Sequence, residues 1–163
     1  MLFSQLNIQS ILLADDDNDD CLLFKDALEE LPLSAALTTV FDGDQLMQLL
    51  TKEDAQLPDV LFLDLNMPRK NGFQCLVEIK NDAKLNKLPI IIFSTSYEPD
   101  IASQLYQNGA MHYIQKPNEF TKLKNVIYDA INVAAQRNST QPSIEGFVLL
   151  TDSYNNDYKQ NTD

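Results

Sequence analysis

Val60-Leu61-Phe62-Leu63-Asp64-Leu65-Asn66-Met67-Pro68 decides how this chain is read: an unbroken apolar run ends in a carboxylate, and a proline stiffens the loop behind it. So short and apolar a run suits a strand buried on both faces, as in a parallel sheet covered by helices. Ile11-Leu12-Leu13-Ala14 before Asp15 and Ile90-Ile91-Ile92-Phe93 before Ser94 have the same form. Ala36 to Phe41 and His112 to Ile114, richer in Thr and Tyr, are weaker candidates for the second and fifth strands. Between the strands lie segments of helical spacing: Leu22, Leu23, Ala27, Leu28 and Leu31; Leu46, Leu49 and Leu50; Phe73, Leu76, Val77 and Ile79. Ile101, Leu105 and Tyr106 mark a fourth helix that stops at Asn108-Gly109, where glycine can take the left-handed cap conformation. Phe120, Leu123, Ile127, Ala130, Ile131 and Ala134 mark the fifth. Strict alternation of strand and helix predicts an α/β fold with a doubly wound five-stranded parallel sheet, because parallel strands need crossovers and helices supply them.

Twelve Lys and Arg against twenty-four Asp and Glu in 163 residues give a net charge of −12, which disfavours direct binding to nucleic acid. A chain of this length buries roughly 68–70% of its extended surface, enough for one core without staples. Cys21 and Cys75 form no CxxC pair and read as apolar fillers on helix faces. No signal-peptide pattern opens the chain and no apolar run is long enough to span a membrane, so the expected compartment is the reducing cytoplasm. The expected domain is 1–136. Residues 137–163 read as a linker and a partly disordered tail, within which Gly146 to Thr151 is either one strand or an apolar docking segment.

In an open parallel sheet the ligand crevice lies beyond the carboxyl ends of the strands, near the point where strand order reverses. Asp15, Asp16 and Asp17 follow the first strand, Asp64 closes the third, Ser94 and Thr95 follow the fourth, and Lys116-Pro117 follow the fifth. Three acids converging on one rim are unfavourable without compensating positive charge. Hard carboxylate oxygens without His or Cys select Mg²⁺, and Lys116 adds a second cation. Such a site fits phosphoryl transfer to a carboxylate, with Asp64, held rigidly at a strand end, as the nucleophile. A metal-dependent phosphatase or phosphotransferase acting on small phosphate esters would use the same acids. Against that alternative, Asn66 stands two residues after Asp64 where such an enzyme would place a second acid to protonate the leaving group.

The motifs Ile11 to Asp17, Leu63 to Pro68, Asn71-Gly72, Phe93-Ser94-Thr95 and Tyr113 to Pro117 together resemble the receiver domain of the two-component response-regulator family, from about Ile11 to Ala135. Phe93 to Ser96, the Asn81 to Leu88 connection and the lack of an effector domain resemble the stand-alone regulators of bacterial phytochrome-type histidine kinases. The resemblance implies a flavodoxin-like (βα)₅ fold and a signalling switch that catalyses only its own phosphorylation and dephosphorylation. It implies Asp64 as phosphoacceptor; Asp16 as a direct Mg²⁺ ligand and Asp15 as one acting through water; and Asn66 as the donor of a backbone carbonyl. Lys116 and Ser94 would hold phosphoryl oxygens, Tyr113 would be the aromatic switch, and a cis bond would precede Pro117. The implied partners are a sensor histidine kinase or phosphotransfer protein and a downstream protein target. Val126 and Val133, read as lying off the apolar stripe of the fifth helix, are candidates for a homodimer or partner surface. Asn71 and Ser94 stand where the family more often has Asp and Thr, and neither removes a required group.

Several acids have plainer readings. Asn18, Asp19 and Asp20 read as helix-capping chemistry. Asp15, Asp17 and Asp19 mimic the start of a calcium loop, but Asp20 and Asp26 replace the Gly and Glu that such a loop needs. His112 has no Ser or Cys partner in a recognisable triad.

Overall fold

Among the described residues six strands, all parallel, lie side by side in the order β2-β1-β3-β4-β5-β6. The computed structural model describes residues 7–136 and 141–149. The elements run β1 (Ser10–Ala14), α1 (Asn18–Glu29), β2 (Ala36–Val40), α2 (Gly43–Thr51), β3 (Val60–Leu63), α3 (Gly72–Lys80), β4 (Ile90–Ser94), α4 (Pro99–Gln107), β5 (His112–Gln115) and α5 (Phe120–Ala135). A single 3₁₀ turn, Ile144–Gly146, then leads into β6 (Val148–Leu149). Strand order reverses between β1 and β3, so the crevice expected of such a sheet opens at their carboxyl ends.

The central strands have both faces covered, and period-two alternation divides them between two cores. Leu12, Leu61, Leu63, Ile90, Ile92 and Tyr113 face α2, α3 and α4. Ile11, Leu13, Phe62, Ile91, Phe93 and Ile114 face α1 and α5. Phe24, Phe62 and Phe93 form an edge-to-face trio in the second core, with centroids 4.9, 5.8 and 6.1 Å apart.

Three expectations require correction. The sheet has six strands and not five: of the two readings of Gly146 to Thr151 the strand is realised at Val148–Leu149, where β6 adds to the edge of β5, pairing Tyr113 with Val148 and Ile114 with Leu149. A two-residue strand is too short to produce a periodic signal, and here the unpaired edge of β5 recruits it. In α1 the buried stripe is Cys21, Phe24, Ala27 and Leu28. Leu22 and Leu23 are exposed, because 3.6-residue spacing cannot carry 22 and 23 on the side that holds 21, 24 and 28. On α5, Val126 is buried and Val133 packs against the core cluster, so Val126 offers no partner surface. Residues 137–140 and 150–163, where most of the linker and the predicted disordered tail fall, lie outside the described residues.

Candidate functional site

Two acids of the rim are fixed by backbone bonds to the strand beside the one that delivers them. Asp15 follows β1, and its N–H donates to Val40 O at 3.0 Å; Asp64 follows β3, and its N–H donates to Ala14 O at 2.9 Å. Both are buried, Asp15 at 1% and Asp64 at 6% exposure, whereas Asp16 is exposed. One carboxylate oxygen from each of Asp15, Asp16 and Asp64 falls within a 4.8 Å cluster. Asp15 Oδ1 accepts the Asp17 N–H at 3.0 Å, and Asp64 Oδ1 accepts the Asn66 N–H at 3.4 Å.

Lys116 crosses to these acids from the end of β5. Its Nζ donates to Asp15 Oδ2 at 2.6 Å and to Asp20 Oδ2 at 2.8 Å, lies 3.8 Å from Asp64 Oδ2, and stands 5.6 Å above the Phe93 ring. Its backbone N–H donates to Ser94 O at 2.7 Å. No cis peptide occurs among the described residues, so the bond preceding Pro117 is trans, contrary to the family expectation. Trans is the intrinsically favoured X–Pro isomer by about 0.5–1 kcal/mol, and with it Lys116 already reaches its partners.

The charges are unevenly balanced. Burial pushes the Asp64 carboxyl from its ordinary 3.8 up to about 7; Lys116 opposes the rise and the neighbouring Asp15 adds to it. Burial alone would lower the Lys116 ammonium, but the hydrogen bonds to Asp15 and Asp20 and the charges of Asp64 and Asp15 hold it above the usual lysine range. Three acids, Asp15, Asp20 and Asp64, therefore share one buried cation. The rim fits a hard divalent ion on two observations: clustered oxygen-only donors, and a buried carboxyl raised first by burial and further by the neighbouring Asp15.

Asp20 is the residue that sequence reasoning assigned to capping alone. The side-chain cap of α1 is Asp17, which accepts the Asp20 N–H at 3.0 Å and leaves the Asp20 carboxylate free to meet Lys116. The available signal was positional: a first-turn acid on a helix that starts at the rim can face back toward it.

The loop after Asp64 depends on a glycine. A Cβ on Gly72 would lie 2.2 Å from Asp64 O, so only glycine lets α3 begin this close to the acid. Asn71 caps that helix through a reciprocal capping box with Gln74. Asn66 is exposed beside the acids.

The remaining two residues lie to one side of the acids. Ser94 is fully buried, and its Oγ lies 3.4 Å from Ser96 Oγ. Tyr113 is buried under Tyr97, centroids 5.6 Å apart, and its hydroxyl donates to Ser96 O. The structure thus gathers Asp15, Asp16, Asp20, Asp64 and Lys116 into one cluster, while Ser94 and Tyr113 are joined to each other through Ser96.

The family model for the response regulator receiver domain matches residues 11–128. Response regulator Rcp1 of Synechocystis sp. is 28% identical over 72% of this chain and 82% of its own length. A solved structure of Rcp1 in its Mn²⁺-bound form superposes with a TM-score of 0.69 at 26% identity, covering 83% of this chain and 99% of that one. The phosphorylated cyanobacterial phytochrome response regulator RcpA superposes with a TM-score of 0.72 at 31% identity, over the same 83% and 99%.

Proposed function

The chain belongs to the response regulator receiver domain family, and from that premise we propose that it accepts a phosphoryl group on Asp64 from a phosphohistidine and signals by a change of shape. The observation that carries this reading is the convergence of Asp64 with Asp15, Asp16 and Lys116 at the point where strand order reverses.

Asp64 is the acid best placed to attack, since its Oδ2 stands 3.8 Å from Lys116 Nζ whereas Asp15 Oδ2 is already bonded to it at 2.6 Å. A carboxylate oxygen of Asp64 forms the new O–P bond as the N–P bond of the donor breaks, and the departing imidazole takes up a proton from solvent. Asp15, Asp16 and Asp64, with the backbone carbonyl of Asn66, would hold a Mg²⁺ ion. When bound, it supplies the positive charge that keeps Asp64 ionised and neutralises the oxygens in transfer. Lys116 binds one phosphoryl oxygen, exchanging part of its hold on Asp15 and Asp20 for the incoming charge. The Ser94 hydroxyl donates to another. The partners are then a sensor histidine kinase or phosphotransfer protein, similar to those that phytochrome regulators serve, and a protein that reads the altered surface. The site lies in a receiver of cytoplasmic type, and no helix among the described residues is long and apolar enough to cross a membrane.

Intact-mass analysis after incubation with acetyl phosphate and Mg²⁺ tests the reading. The expected product carries one phosphoryl group, labile as an acyl phosphate, and does not form in Asp64→Asn. Absence of any adduct from acetyl phosphate and from histidine-kinase donors alike, or sustained turnover of generic phosphate esters, would sink it.

A further inference from the structure

We propose that Gln141–Leu149 is a regulatory strap: it clamps α4 to β5 while the acid rim is empty of phosphoryl and is released when the rim is filled. The proposal takes the rim as the signal-receiving site argued above and concerns what that site controls.

The strap is bonded to two elements at once. On the α4 side, Gln141 Nε2 donates to Tyr106 O and Ala110 O, both at 2.7 Å, and the Tyr106 hydroxyl donates to Pro142 O at 2.8 Å. The Phe147 side chain, 1% exposed, meets the Tyr106 ring edge-on at 5.2 Å. On the β5 side, Phe147 O accepts the Tyr113 N–H at 3.1 Å and lies 3.1 Å from His112 Nδ1, and β6 continues the sheet.

A clamp across two elements survives only while they keep their relative positions. The helix it holds is lightly anchored: α4 buries only Ala102 and Leu105, and its N-cap Glu98 makes no side-chain cap. That helix is joined to β4 through Thr95–Glu98, the segment whose Ser96 carbonyl accepts the Tyr113 hydroxyl. The Ser94 hydroxyl has only the long 3.4 Å contact with Ser96 to lose, so a phosphoryl oxygen on Asp64 competes for it easily. Drawing Ser94 toward the rim displaces the segment, loosens the Tyr113 hydroxyl and shifts α4 against β5. Tyr113 is common to both ends: its hydroxyl reports on the β4–α4 segment and its N–H holds the strap. The docked and released strap supplies the two-state element that such coupling requires.

Hydrogen exchange on the full-length chain reads the strap directly through the Tyr113 amide and through peptides spanning 141–149. Mg²⁺ with beryllofluoride, a phosphoryl mimic, is expected to speed exchange at these positions about fivefold or more, leaving β1 and β3 unaltered. By reciprocity, Phe147→Ala binds Mg²⁺–beryllofluoride more tightly by a similar factor, and Phe147→Leu returns toward the parent value. Gln141→Ala, which removes two part-buried hydrogen bonds, does the same to a smaller degree and serves if Phe147→Ala fails to fold. Tyr113→Phe, with no ligand present, is expected to speed strap exchange by itself. Binding without a change in strap exchange, or unaltered exchange in Tyr113→Phe, overturns the proposal. If beryllofluoride does not bind the parent protein, the acceptor reading falls, and the Tyr113→Phe comparison still decides the strap.

Discussion

The two halves of the rim are built to opposite standards. On one side, Asp15, Asp64 and Lys116 hang from β1, β3 and β5, strands buried on both faces, and are tied together by charge. On the other, α4 buries two residues where α5 buries six, and its attachment to β5 is completed by a strap of nine residues. Burial is concentrated where charges must be held against repulsion, and the lightly anchored helix lies where the proposed shift of surface would follow. The Ser94–Ser96–Tyr113 contacts join the two sides, and under the proposed function a phosphoryl group at the rigid side would act on the loose side through them.

The sharpest way to break this comparison is Asp64→Asn. Loss of the acyl-phosphate adduct should be complete on intact-mass analysis, while circular dichroism and the packing of α4 and the strap stay as in the parent. Next in size is Lys116→Ala, which leaves three acids facing one another without their cation. Removing one partner of a buried ion pair typically costs about 3–5 kcal/mol, read as a lower urea midpoint, and saturating Mg²⁺ should restore part of it. The same variant should bind Mg²⁺ at least as tightly as the parent protein, since the competing ammonium is gone.

Burial of Asp64, reinforced by Asp15, also sets a pH dependence on the rigid side. Asp64 titrates near 7 in the folded protein against its ordinary 3.8, so between these values the folded state holds a proton that the unfolded chain has released. Metal-free stability should therefore be greatest at or below about pH 4 as far as this group is concerned, and fall as pH rises towards 7. The expected loss is of order 1–2 kcal/mol, allowing for screening at the open rim. Denaturation profiles should show this slope flattened by Mg²⁺ and absent in Asp64→Asn. The smallest effect belongs to the loose side: Tyr106→Phe removes the hydrogen bond to Pro142 O and should cost about 1 kcal/mol. Hydrogen exchange should place that loss in the strap and α4, with the rim unaffected.

Much of this was legible because it follows from local chemistry. Apolar runs ending in Asp15, Asp64 and Ser94 announce strand ends, and in a parallel sheet strand ends share a rim. Asn108-Gly109 announces the end of α4, and Gly109 indeed has φ 92°. What misled the reading were pairings that no spacing encodes. Asp20 and Lys116 are 96 residues apart, and Leu22 and Leu23 look apolar enough to be core although they are exposed.

The order of residues thus determined the element types, the parallel sheet and the identity of the acids at its edge, because strand burial and helix periodicity are written in neighbouring side chains. Only the tertiary structure decided that Asp20 shares the lysine, that Val126 is core, and that Gln141–Leu149 closes over β5. Those outcomes depend on which surfaces remain uncovered once the sheet has formed, and that is a property of the assembled molecule.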